Sequence, residues 1–279
     1  MRGKMKLQAP CPEINIPNTP TKLIKGLTLN RGLLSKLEQL YPTAEIIERD
    51  FDRWNTVTWG HQSILRPTII SSLAAEADVI VSPATGIIVT TLLKVIQKVL
   101  PGHTGQSSIR ERLVSVALRY ERLIVLVSEG NTEDETTRDL TPPETTAYAD
   151  FISFAAGFDY KIEVFYVGGG EATLAKWLVS FAVRYAPEAA QTQARLIQDE
   201  TQWEVFLRRA GFNAYAAQSI LVLIKGRDST DKEGDEFDNY GLAQFMTLTE
   251  AQRLDCFRTL MGGEKVLKRV NKMLEMRWS

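Results

Sequence analysis

The chain has 279 residues, 44% of them hydrophobic and 24% charged, with a formal net charge of −1. This can bury one large core or two smaller ones, and it leaves no global field to draw in nucleic acid or an anionic membrane, so such attraction needs local clustering. Cys11 and Cys256, near opposite ends, exclude a disulfide framework and agree with a reducing compartment, and no run of about 18 apolar residues is present to span a bilayer.

The opening "MRGKMKLQAPCPEINIPNTP" is basic, then proline-rich, without the apolar centre of a secretory signal, and reads as an extended arm over residues 1–21. Residues 22–195 read as an α/β domain. "GLLSKLEQLYP" predicts a helix stopped at Pro42. "AEIIERD" and "ADVIVSP" predict strands, the second apolar on both faces as a central parallel strand is. "TGIIVTTLLKVIQKVL" predicts a helix ended by Pro101-Gly102. "SSIRERLVSVALRY" predicts another, opened by a capping box of Ser108 and Glu111. "RLIVLVSEG" is the strongest strand signal, and "NTEDETTRDLTPPETT" reads as a polar, exposed loop. "AYADFISFAAGF" is helical, "KIEVFYVGGG" a strand and "EATLAKWLVSFAVRYAP" an amphipathic helix. Such alternation predicts a mostly parallel sheet covered on both sides.

Residues 196–279 carry helical signals only. Capping boxes are expected at Thr201 with Glu204 and at Thr249 with Gln252. The insert at 226–240 is acidic and rich in helix breakers. Around it lie two helical hairpins, one bending at Gly211 and one at Gly262-Gly263. Glycine reaches backbone angles closed to other residues, and a turn opening onto a helix N-terminus presents unpaired N–H groups to an anion. On a helical wheel Lys265, Lys268, Arg269 and Lys272 share an arc of about 100°. Residues 251–279 hold seven Lys or Arg against three Asp or Glu. A cationic stripe beside a glycine turn suits a phosphodiester backbone, although the bland reading of such a stripe is a solvated face. The first hairpin offers only Arg208 and Arg209. Its apolar set, Trp203, Phe206, Leu207, Ile220 and Leu221, suits packing within the domain or against a partner.

Other motifs point to less. Gly168 to Gly170 in "VGGGEAT" could cradle phosphate, but the G-x-G-x-x-G spacing fails and a tight strand-to-helix turn is the plainer reading. His61 and His103 are too few for a metal cluster. No G-x-S-x-G elbow exists, and Ser128 has no histidine near it in sequence. Trp54 and Trp59 could stack on bases, against a plainer role at a hydrophobic rim.

The hairpins resemble the tandem helix–hairpin–helix module of the XPF/ERCC structure-specific endonuclease family, in which a restriction-nuclease-like α/β domain precedes the module. That family's signature is a strand ending in V-E-R-K followed by x-x-x-D, whose carboxylates hold a divalent metal. Set against "VIVSPATGII", the signature positions fall on Ser82, Pro83, Ala84 and Ile88, none of which can ligate a metal that activates water. "IIERDFD" looks similar to the signature, but Trp54 stands where its last aspartate belongs, and Glu48, Asp50 and Asp52 read as strand-end charges. The phrases "LRYERLIVLVSEG", "TQWEVFLRRAGFNAYAAQ" and "LMGGEKVLKRV" look most like the nuclease-dead meiotic branch, the Zip-two and shortage-in-chiasmata crossover factors. The resemblance covers roughly residues 45–279. It implies a nuclear, non-catalytic subunit without cofactor or metal. Such a subunit pairs with a smaller ERCC-type helix–hairpin–helix partner and binds branched DNA through Gly262, Gly263, Lys265, Lys268, Arg269 and Lys272, with Arg208, Arg209 and Gly211 contributing. Three rivals stay open: an active structure-specific nuclease, a protein-interaction scaffold without DNA binding, and a nucleotide-binding enzyme using Gly168 to Gly170.

Overall fold

The computed structural model describes residues 7–26, 28–49, 76–97, 106–131, 134–227 and 242–275. Six strands form its main sheet: β2 (Thr21–Gly26), β3 (Ala44–Arg49), β4 (Val79–Ile80), β5 (Thr85–Thr91), β6 (Arg122–Ser128) and β8 (Lys161–Val167), in the order β3-β2-β4-β5-β6-β8. The short β4 runs antiparallel to both neighbours and every other pairing is parallel. Helices α1 (Arg31–Leu40) and α5 (Glu171–Tyr185) cover one face, Leu33, Leu37, Leu174 and Leu178 packing with Ile87, Ile124 and Leu126. On the other face α2 (Leu92–Ile96), α3 (Ser108–Ala117) and α4 (Pro142–Ala156) bring Leu113, Val116 and Phe151 onto Ile88, Val125 and Val127. The architecture is thus a mixed, mostly parallel α/β sheet with flanking helices.

The stretch from Thr85 departs from expectation. It is a strand as far as Thr91, and only Leu92–Ile96 is helical. "TGIIVTT" is rich in β-branched side chains, which lose less freedom on a pleated surface than on a helix. Lying between β4 and β6, it is apolar on both faces and so shows no alternation. Ser82–Ala84 is then the turn of a hairpin, closed by Val81 N–H to Thr85 O at 3.0 Å and Thr85 N–H to Ser82 O at 3.2 Å.

Two further segments are more ordered than their composition suggests. Leu7–Gln8 (β1) of the arm pairs antiparallel with Thr136–Thr137 (β7) of the polar loop, and the Trp177 indole donates to Pro10 O at 3.1 Å. The cap of α3 is Ser107, one residue before the expected Ser108, and it makes no side-chain capping bond.

After residue 195 the described chain is helical: α6 (Gln202–Ala210), α7 (Ala214–Arg227), α8 (Leu242–Thr247), α9 (Glu250–Met261) and α10 (Lys265–Glu275). Their core gathers Leu207, Phe212, Ile220, Phe257, Met261 and Val266. Thr249 and Gln252 form the full capping box. Thr201 caps the Glu204 amide at 3.2 Å, but the Glu204 carboxylate turns away to Arg49 and Gln218.

The two parts are welded. Ala214 and Tyr215 join the core on the α3 face of the sheet. One buried ion pair crosses the junction, Arg49 with Glu204, and two more line it from either side: Arg119 with Glu76 on the sheet side and Arg208 with Glu200 on the helical side. Asn213 donates to Pro83 O at 2.8 Å and Arg119 O at 3.1 Å, and Arg119 donates to Phe212 O at 3.1 Å. Burial pushes the Glu204 carboxyl up against the pull of Arg49. It also drags the Arg208 guanidinium down to about 9, with the Glu76 charge opposing. Among the described residues no helix is long and apolar enough to cross a membrane.

Candidate functional site

The residues expected to grip phosphate divide into an inner and an outer set. Gly211 and Gly262 end α6 and α9 in the left-handed region, at φ +119° and +64°. Both turns serve packing as well. A Cβ at Gly211 would stand 2.6 Å from Arg269 Nη2, and one at Gly262 would lie 3.1 Å from the Ala84 Cβ. One at Gly263 would collide with the Glu121 carboxylate. Glu121 Oε1 accepts the Val266 amide at 2.9 Å, so the α/β domain's own carboxylate sits where an anion would meet α10. Burial pushes that carboxyl up, with the Val266 and Lys265 amides pulling the other way.

Arg269 bends inward and donates to Gly211 O at 2.7 Å, its guanidinium lowered by burial to about 10. Arg208 is 1% exposed inside the junction and Arg209 is half-buried. Both Arg208 and Arg269 are therefore fixed parts of the fold, since reaching a phosphate would strip them of interior partners. Lys265, Lys268 and Lys272 remain exposed, and Arg258 of α9 joins them. Glu264 holds Arg258 at 3.0 Å and Lys268 at 2.8 Å. Lys265 lies 3.5 Å from Asp159 and over the Tyr160 ring. Arg258, Glu264, Lys265 and Lys268 edge a shallow depression of about 670 Å³ above Gly262 and Gly263, which Lys272 does not reach. Arg258 was not readable on the α10 wheel because it comes from the neighbouring helix.

The apolar set also divides. Leu207 and Ile220 are wholly buried in the helical core, while Phe206 and Leu221 pack partly against it. Trp203, 47% exposed, is the member that offers a large apolar surface.

The expected signature positions follow the C-terminal end of the short antiparallel β4. Ser82 to Ala84 form the hairpin turn beside the N-terminal end of β5, where Ser82 and Thr85 hydroxyls share the Glu188 carboxylate at 2.9 and 3.2 Å. Ile88 is mid-strand in the core. β5 ends at the opposite edge of the sheet, with β2, β3, β6 and β8, through Val89-Thr90-Thr91.

The carboxylates near this edge are engaged. Asp78 accepts from Thr28, from the Val89 amide at 2.7 Å and from Arg112 at 2.9 Å. Glu129 accepts the Gly169 amide at 3.0 Å and the Thr137 hydroxyl at 3.1 Å. Glu135 reaches from the polar loop to the amides of Gly170, Ala172 and Thr173 at 3.0, 3.2 and 3.0 Å. Burial alone would raise the Glu135 carboxyl, but hydrogen bonds from Thr173, Gly170 and Ala172 prevail and hold it below its ordinary range. The anion seat of "VGGGEAT" is thus already filled. Glu48 on the edge strand β3 pairs with Lys25 of β2 at 2.5 Å. Asp50, Asp52, Trp54, Trp59, His61, His103 and the insert from 228 to 240 lie outside the described residues. Among those described, no group of three or more His, Cys, Asp or Glu is placed to hold a metal ion.

A family model described as a domain of unknown function (DUF7102) matches residues 13–195. The chain belongs to that family. A second model, described as a SAM-like domain, matches residues 197–274. No curated protein sequence matches. Among solved structures the chain is similar to XPF from Aeropyrum pernix, with 16% identity and a TM-score of 0.38 over 92% of this chain and 100% of that one. It is also similar to XPF from Aeropyrum pernix in complex with DNA, with 17% identity, a TM-score of 0.34 and the same coverage. At that distance the likeness assigns no activity.

Proposed function

We propose that the chain is a non-cutting DNA-binding subunit of the XPF kind, holding branched DNA as half of a nuclear heterodimer that serves meiotic crossover formation. The observation that carries the non-cutting part is the C-terminal edge of the sheet. Threonines stand at the end of β5, and Asp78, Glu129 and Glu135 are each saturated by donors. Metal-assisted hydrolysis needs carboxylate oxygens free to take an ion. DNA contact rests on Arg258, Lys265, Lys268 and Lys272, a smaller set than the sequence offered, with the glycine turns giving α9 and α10 the helix–hairpin–helix form. Trp203 is the anchor for the ERCC-type partner.

Flap, fork and four-way substrates against linear duplex test this, with Mg²⁺ or Mn²⁺ present or chelated. The expected result is intact substrate and salt-dependent binding that prefers branches. Replacing Lys265, Lys268 and Lys272 with Glu should weaken it by at least about tenfold and flatten its salt slope. Metal-dependent cleavage overturns the reading.

A second reading, a protein-interaction scaffold, is favoured by Glu264 and Asp159, which neutralise part of the cationic row. It predicts that the triple replacement leaves DNA affinity unchanged while partner binding persists.

A further inference from the structure

On the α1 and α5 face, the C-terminal edge of the sheet opens into a crevice of about 230 Å³ that the proposed DNA contact does not use. It lies where the strand order turns. From β2 the chain moves outward to β3, while from β5 it moves the other way to β6 and β8. Crevices at such switch points are the usual ligand seats of open α/β sheets.

Its walls combine apolar Leu29, Leu33 and Leu174 with Thr91, Lys94 and Ser128. The acidic groups around it are compensated: Asp78 by Arg112 and Glu171 by Lys36 at 3.2 Å. Lys94 is exposed and has no ion-pair partner among the described residues. Thr91 and Ser128 hydroxyls accept backbone amides, from Lys94 at 3.4 Å and Gly130 at 3.1 Å, and so keep their own protons for another acceptor. One uncompensated cation and two hydroxyl donors over an apolar floor fit an oxyanion joined to a small organic body. The volume falls below the ~300 Å³ at which drug-sized pockets begin, which limits that body to about a sugar or a single nucleoside.

We propose that this crevice binds a small phosphorylated molecule, its phosphate on Lys94, Thr91 and Ser128 and its body against Leu29, Leu33 and Leu174. Gly170 and Glu171 at the start of α5 border the site, but the amides there are taken by Glu135 and are not assigned to the ligand.

Thermal denaturation of the full chain with inorganic phosphate, ribose 5-phosphate or AMP, against ribose and adenosine, tests the proposal. The phosphorylated probes should raise the melting temperature by a few degrees, as any ligand of the native state alone does, and their unphosphorylated counterparts should not. Lys94→Met, at an exposed position, should weaken binding about tenfold, and Lys94→Arg should restore it. Replacing Lys265, Lys268 and Lys272 should leave it unchanged. Equal stabilisation by adenosine and AMP, no stabilisation by any probe, or loss on replacing the α10 lysines each overturns the assignment.

Discussion

Arg119 and Glu76 lie 3.3 Å apart in the junction between the sheet and the helical domain, each side chain 2% exposed. Removing one partner strands the other's charge in the interior, whereas removing both does not. Arg119→Met should therefore cost about 3–5 kcal/mol, and the double replacement Arg119→Met with Glu76→Met less than the sum of the singles. Urea denaturation followed by tryptophan fluorescence measures both. A single-mutant loss below about 1 kcal/mol contradicts the buried-pair account.

Glu135 gives a pH test. Its carboxyl is lowered in the fold from the ordinary 4.5, so its contribution is complete above that value and lost as pH falls through the lowered one. Glu135→Gln should cost about 1 kcal/mol near pH 7, as loss of a helix cap does. The gap from the parent protein should close as the medium is acidified below the ordinary carboxylate range. Paired denaturation curves from pH 7 to pH 3 check this, and a gap that widens on acidification contradicts it.

The glycine turns predict a separation of stability from binding. Gly262→Ala forces a side chain into φ +64° against Ala84, which should lower stability by about 1 kcal/mol. DNA affinity of the folded protein should be unaltered, because the lysines beside the turn are untouched. Calorimetry and fluorescence anisotropy on the same preparation read the two effects.

Glu264 is the brake on the cationic row. Glu264→Gln releases Arg258 and Lys268 and should tighten DNA binding by about threefold at low salt, the gain fading as salt rises. Anisotropy titrations at two salt concentrations suffice, and weaker binding at low salt rules against the assigned contact surface.

What the sequence disclosed follows from how local each signal is. Helices α1 and α5 and strands β3, β6 and β8 are legible because their composition and boundaries agree, whereas α4 begins at Pro142, inside the stretch that reads as a polar loop. β2 passed unread because Lys22 and Lys25 look solvent-facing. In the fold they are held by Glu45 and Glu48. β5 reads as helix in the sequence because it has no alternation and runs into α2 without a breaker. At the helical site, Lys265, Lys268 and Lys272 were read as exposed and are. Arg208 and Arg269 were not, because their partners Glu200, Glu76 and Gly211 lie on other elements, and a wheel shows one helix at a time. Glu121 was invisible for the same reason.

The weld between sheet and helices bears on how this molecule can be cut. The two family matches meet between residues 195 and 197, the natural place for a cloning boundary. Arg49 stands on one side of it and its partner Glu204 on the other, and Arg119 reaches across to Phe212 O. A fragment from either side inherits one stranded charge and a raw greasy face, and expression of halves should yield inclusion bodies in place of folded protein.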